Sequence, residues 1–400
     1  MKIRPVFFHA PHRVMFMAGA TQGVLAMLWW MVDLAARSGA IPALPTWTLP
    51  PPWAHGAMLM FGCFPFFIFG FLMTAGPRWV NAEPITPFAY LSTFVFMSLG
   101  WIAFYVALLW PPLMLPALLL TLTGWCSGLP ELWRAALGGS ERAHLKTTVA
   151  GLCGGALCLA AFLGFAGGGP GWLARLALTG GVWLFLLPVF VAVSHRMIPF
   201  FSSSALPNYT AVRPLWALYV LLTGFVGHAL LAIAGMAQWT WLFDAPAAVI
   251  AIWLTLRWQL ARSFEVRLLA VLHVAFAWLG LSLALYATQS LLLLLGIVAL
   301  GLAPLHALTI GFFASMLIGM VSRVTLGHSG RALAADTWLW AMFWALQGVA
   351  VLRVAAEFIK LPGPIGLSSL AALVWLVVFI SWWVKFAPAY IKPRSDGKPG

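Results

Sequence analysis

The chain has 400 residues, 63% of them hydrophobic and only 8% charged, with a mean hydropathy of +0.97. Soluble domains average about half apolar and about a quarter charged, so a soluble globular protein is excluded. The net charge of +13 reflects 22 Lys and Arg against only 9 Asp and Glu, spread singly over short loops, so it is not a nucleic-acid footprint.

A basic segment, Met1–Arg13, opens the chain without a small-residue cleavage site and reads as a cytoplasmic N-terminal segment. Apolar windows of about twenty residues follow, each long enough to cross a bilayer as a helix. In the first half they are Val14–Ala36, Trp53–Gly76, Phe88–Trp110, Leu113–Trp133, Thr147–Ala166 and Trp172–His195. In the second half they are Leu215–Ala237, Thr240–Leu260, Arg267–Gln289, Ala303–Ser322, Asp336–Phe358 and Gly366–Lys385. Ser290–Leu302 reads as a short interfacial or re-entrant piece rather than a thirteenth span, and residues 386–400 read as a cytoplasmic tail. With both termini inside, all of the 22 basic residues except Arg37, Arg175, Arg353 and Lys360 fall on the inner side, as the positive-inside rule requires. The expectation is a single all-α integral-membrane domain of about 12 helices, rich in interfacial Trp and Phe.

Four cysteines, Cys63, Cys126, Cys153 and Cys158, lie in apolar spans and form no Cys-x-x-Cys or Cys-x-x-Cys-His motif, so neither disulfides nor covalent haem attachment is indicated. The acids mostly sit at helix ends, unlike a buried proton relay, and no Walker or Rossmann motif occurs. Pro65, Pro188 and Pro304 stand where they could break helices, but no repeat of the kind transporters carry is found.

Histidines are the chemistry-bearing groups, because hydrocarbon penalises an imidazole with nothing to bond and imidazole is the commonest ligand of metals and haem iron. His55 lies in the first turn of the inward-running second helix, His306 in the first turn of the inward-running tenth, and Arg353 near the end of the outward-running eleventh. These three share one depth near the outer face, as a haem b would need: two imidazoles for the iron and a cation for the propionates. Trp53, Gly56 and Ala57 would leave room for a flat ring. Either histidine taken alone also reads as an interfacial group bonded to water or backbone. His228 falls near mid-depth in the seventh helix, as a ligand of a second metal or haem, or as a donor to a neighbouring helix. His273, His195 and His328 form a looser inner band with Arg196, Arg323 and Arg78, in which His195 reads as a headgroup-level residue. His9 and His12 precede the first helix and read as solvated, although His12-Arg13 could pack against this band. Met58, one turn after His55, and the other methionines read first as packing.

The segments Ala54–Trp79, Arg196–Pro207, Leu272–Leu285 and Leu305–Arg331, with "RPVFFHAPHRVMFMAGA" and "LRVAAE", resemble the NnrS family of haem- and copper-containing membrane proteins. The family's motif histidines match His55, His273, His306 and His328, and its motif arginines Arg78, Arg323, Arg331 and Arg353. Two positions depart from the pattern: His195 stands where Gly is usual, and the His-x-x-Glu motif reads His55-Gly-Ala-Met58. The resemblance implies a twelve-helix haem protein of the bacterial inner membrane, tied to nitric oxide, nitrosative stress and denitrification. The layout also resembles the core subunit of haem–copper oxidases and nitric oxide reductases, without their catalytic copper site: no His-His pair occurs in the seventh helix and no His-x-His in the tenth. Three functions follow as expectations. The first is a protein that binds or helps detoxify nitric oxide, with redox activity at a haem or copper site. The second is a quinol-interacting electron carrier using His273, Arg323 and His328, and the third a transporter of a metal, haem or nitrosyl complex.

Overall fold

The computed structural model describes residues 5–138, 142–359 and 366–397. Lys2, Arg4, Lys360 and Lys398, which enter the charge asymmetry, lie outside the described residues. No strand occurs among those described. The long helices are α1 (Pro11–Arg37), α2 (Pro51–Trp79), α3 (Pro87–Ala107), α4 (Pro111–Gly138), α5 (Ala143–Ala166) and α6 (Gly171–Ala205). They continue as α7 (Leu215–Ile233), α8 (Trp241–Arg257), α9 (Arg267–Leu294), α10 (Ala303–His328), α11 (Thr337–Ala355) and α12 (Leu367–Ile391). Every expected span holds a helix. All but α8, with its 17 residues, are long and apolar enough to cross a membrane, which makes this a multi-pass membrane protein.

Proline at the first turn starts α1, α2, α3 and α4, where its missing N–H costs nothing. Thr86 and Asp336 cap α3 and α11 by accepting from the Ala89 and Leu339 backbone N–H groups. Several boundaries differ from the apolar windows. Pro11 starts α1 early enough to take His12 and Arg13 into the helix, α6 runs on through Arg196 to Ala205, and α12 continues past Lys385 to Ile391. Ser290–Leu294 extends α9, and the residues after it form a non-helical link with positive φ at Gly296 (74°) and Gly301 (50°). After Leu294 this stretch forms neither a thirteenth membrane-crossing helix nor a re-entrant one.

Three helices widen into π turns: α2 over Met58–Cys63, α6 over Gly181–Leu186 and α10 over Ala307–Ala314. Pro65 and Pro188 follow two of them, and each proline displaces the carbonyl four residues earlier. The Phe61 carbonyl, placed in that position by Pro65, accepts the Trp101 indole N–H at 3.2 Å. In α10 the Ser315 hydroxyl donates to the Ile310 carbonyl at 3.2 Å, and Gln347 donates to Ser315 at 2.8 Å.

The chain divides into two compact units, one drawn from Met1–Val189, His328–Arg331 and Trp383–Gly400, the other from Phe190–Gly327 and Ala332–Trp382. In the first, Trp125 meets Phe61, Phe69 and Phe185 edge-on and donates to the Leu152 carbonyl at 3.0 Å. In the second, Trp258, Phe276, Phe312, Phe313 and Phe190 form the aromatic core, and Trp258 donates to the Val212 carbonyl at 2.7 Å.

Candidate functional site

In the first unit His55 ends the first turn of α2, three residues before the π segment. Its ring stacks on Trp30 of α1, with centroids 4.4 Å apart and planes 17° from parallel. The Arg37 guanidinium lies over the same indole at 4.8 Å, and Arg37 is held by Asp33 at 2.7 Å. Asp33 in turn accepts the Trp47 N–H at 3.0 Å. A stacked imidazole has its plane fixed while its ring nitrogens point along the edge. A Cβ at Gly56 would meet only a Leu178 methyl, at 3.7 Å, so this flank is open; Ala57 and Met58 are fully buried and pack inward. Trp53 packs edge-on against Phe165. Trp30, Asp33 and Arg37 were missed as site residues, although Asp33 and Arg37 stand at a readable i,i+4 spacing.

In the second unit His306 stands immediately before the π segment of α10. Its Nδ1–H donates to the Leu302 carbonyl at 3.0 Å, a bond that selects this tautomer and leaves the lone pair on Nε2. Arg353 and Glu357 both act electrostatically on this imidazole, so the expected neighbourhood of His306 and Arg353 exists within the unit. Arg353 is engaged by Glu357 at 2.6 Å, a partner the sequence reading left out. A Cβ at Gly301 would run into the Glu357 carboxylate, so the link before α10 needs glycine both for its φ of 50° and for this close approach.

The observation that decides kinship is the reach of the motifs that carry these residues: the NnrS protein family description matches residues 6–394. The chain belongs to the NnrS family. No curated protein matches it.

The remaining histidines of this NnrS protein are placed differently from the expectation of one inner band. His273, 1% exposed, lies 3.0 Å from the Ser202 hydroxyl; Ser202 donates to the Ile198 carbonyl, so His273 Nε2 is the donor of the pair. Arg323, in the same unit, lies 4.0 Å over the Phe201 ring. His195 is fully buried and bonds the Pro214 carbonyl at 3.2 Å, which corrects its reading as a headgroup-level residue. His328 belongs to the first unit, where its ring meets His12 at 4.6 Å; His12 is 4% exposed inside α1, not solvated, in keeping with the alternative that His12-Arg13 packs against a residue of that band. His228 bonds the Asp244 carboxyl at 2.7 Å through Nδ1, and Tyr286 meets its ring edge-on at 5.3 Å. Asp244, in the first turn of α8, was passed over as a helix-end acid; the α7–α8 turn brings it to His228, five residues before the end of α7.

A carboxylate behind an imidazole orients it as metal-ligating histidines are oriented. Among the described residues, however, no three His, Cys, Asp or Glu side chains converge as a metal-binding group would require.

Proposed function

We propose that this NnrS-family protein is a haem b protein of the bacterial inner membrane that binds nitric oxide or a nitrosyl species and helps the cell resist nitrosative stress. The observation that carries the reading is His306, whose Nδ1 is committed to the Leu302 carbonyl at 3.0 Å beside Arg353. That is the preparation a metal-ligating imidazole would need: a fixed tautomer and a basic Nε2. His55 supports it by standing ahead of a π segment too, three residues before it, with a stacked, oriented ring. π turns gather at functional sites because they re-aim the side chains around them. Bound haem would supply an iron that takes nitric oxide as a ligand or exchanges an electron. The candidate haem-holding groups are His306 with Arg353 in the one unit and His55 with Arg37 in the other, each arginine supplying a cation for carboxylates.

A quinol-interacting electron carrier is the second reading. It is supported by the His273–Ser202 pair and by Arg323 held over Phe201 in the same unit.

Purified protein supplied with haem should show a reduced b-type spectrum. His55→Ala and His306→Ala should each lose most of the bound haem, measured as pyridine haemochrome per chain. Arg353→Leu should keep the ligands and weaken retention. Wild-type haem stoichiometry and spectrum in both histidine variants would end the ligand assignment. A shift of the haem bands on adding nitric oxide separates a binding site from a six-coordinate electron carrier.

A further inference from the structure

The start of α1 buries charge that no carboxylate among the described residues is seen to compensate. Arg13, 2% exposed, spends one terminal nitrogen on three carbonyls at the end of α12 and beyond: Ala389 at 3.3 Å, Tyr390 at 3.2 Å and Lys392 at 2.9 Å. Those acceptors are neutral, and among the described residues the Arg13 Nε–H has no hydrogen-bond partner. Its neighbour His12 is 4% exposed, and its Nδ1 likewise has none. The His12 ring lies 4.6 Å from that of His328, tilted by 44°. Arg13 and Arg78 act electrostatically on both imidazoles. The carboxylate found here, Asp396, is occupied by Arg394 at 2.9 and 2.6 Å, and Arg394 also donates to the His328 carbonyl at 3.2 Å.

Buried polar atoms without partners are rare and call for an explanation, and a buried guanidinium without a counter-charge is costly. The chemistry selects the sign of the missing group. Arginines repel a cation from a two-imidazole site, whereas a neutral imidazole N–H and guanidinium N–H groups all donate to oxygen.

We propose that His12, Arg13, Arg78 and His328 form a binding site for an oxyanion of the phosphate type, held by hydrogen bonds from Arg13 Nε and His12 Nδ1 and by the charge of Arg78. It is separate from the His55 and His306 positions and independent of the haem reading. The oxyanion has two possible sources, free inorganic phosphate or the phosphodiester of an acidic lipid, and they are distinguishable.

The test uses the full chain purified in neutral detergent and follows thermal unfolding while inorganic phosphate is titrated at constant ionic strength. A parallel arm places the protein in phosphatidylcholine nanodiscs with and without phosphatidylglycerol. Saturable stabilisation by phosphate that is weakened about tenfold in Arg78→Gln and in His12→Phe supports the free-anion source, since a charge-assisted hydrogen bond contributes that much. Stabilisation by phosphatidylglycerol, lost in the same variants, supports the lipid source. Arg78→Gln changes an exposed side chain, so it remains informative if His12→Phe fails to fold. No saturable response in either arm, or an undiminished response in Arg78→Gln, overturns the site. So does stoichiometric copper that is lost in His12→Phe and unaffected by phosphate.

Discussion

Arg353 and Glu357 stand one helical turn apart at the end of α11, at 2.6 Å, with Glu357 just beyond the apolar span. Burial alone would raise the Glu357 pKa, but the hydrogen bonds from Arg353 and Leu302 and the charge of Arg353 outweigh it and leave the carboxyl below its ordinary value. A carboxyl with a lower pKa folded than unfolded contributes stability above its unfolded pKa, and that contribution is lost as the pH falls through the folded value. Glu357→Gln should therefore unfold at a lower temperature than the parent at about pH 7, and the gap should close below about pH 4. Melting both proteins across that range checks it; a gap that stays constant or widens in acid would show that the pair contributes nothing through charge. Losing Glu357 would also free Arg353, so the variant should hold an anionic group near His306 at least as well as the parent.

At the scale of helices, α3 and α4 approach so closely that their backbones touch. A Cβ at Gly100 would lie 2.7 Å from the Thr121 nitrogen and 2.8 Å from the Ala117 carbonyl oxygen, and one at Gly124 would lie 2.7 Å from the Met97 nitrogen. Small residues permit such approach in membranes, where dispersion replaces the hydrophobic effect as the attraction between helices. Backbone cannot step aside as a flexible side chain can. Gly100→Val should destabilise by about 1–3 kcal/mol, whereas Gly348→Ala, with nothing within 4 Å of its Cβ, should be neutral or slightly stabilising. Thermal unfolding of the two variants in one detergent decides it, and equal effects would refute the backbone contact. The π turns belong to the same scale. Pro65 and Pro188 mark two of them in the sequence, but the one after His306 has no proline within it and depends on Ser315 reaching back to Ile310.

For the whole molecule the open question of topology rests on α8, whose 17 residues span only about 25 Å against a hydrocarbon core of about 30 Å. Local thinning and flanking residues accommodate a mismatch of that size at modest cost. Reporter fusions after Met236 and after Arg262 should therefore fall on opposite sides, outer then inner, with Arg37 outer and Arg331 inner. If Met236 and Arg262 report the same side, α8 does not cross, and the orientation of everything after it reverses.

Where the helices lie was legible in the sequence by itself, because in hydrocarbon a span must satisfy its own backbone and be apolar for its full length, which a window of hydropathy detects. The same reading placed His55 and His306 in first turns and Arg353 near His306, since depth follows from residue count along a helix. What each histidine touches was decided only by the tertiary structure. Trp30 for His55, Asp244 for His228, Ser202 for His273 and His12 for His328 come from other helices or distant segments. An almost uniformly apolar helix carries no stripe to say which side faces which neighbour, so those contacts are set by packing, by glycine and proline, and by the polar groups that must find each other out of water.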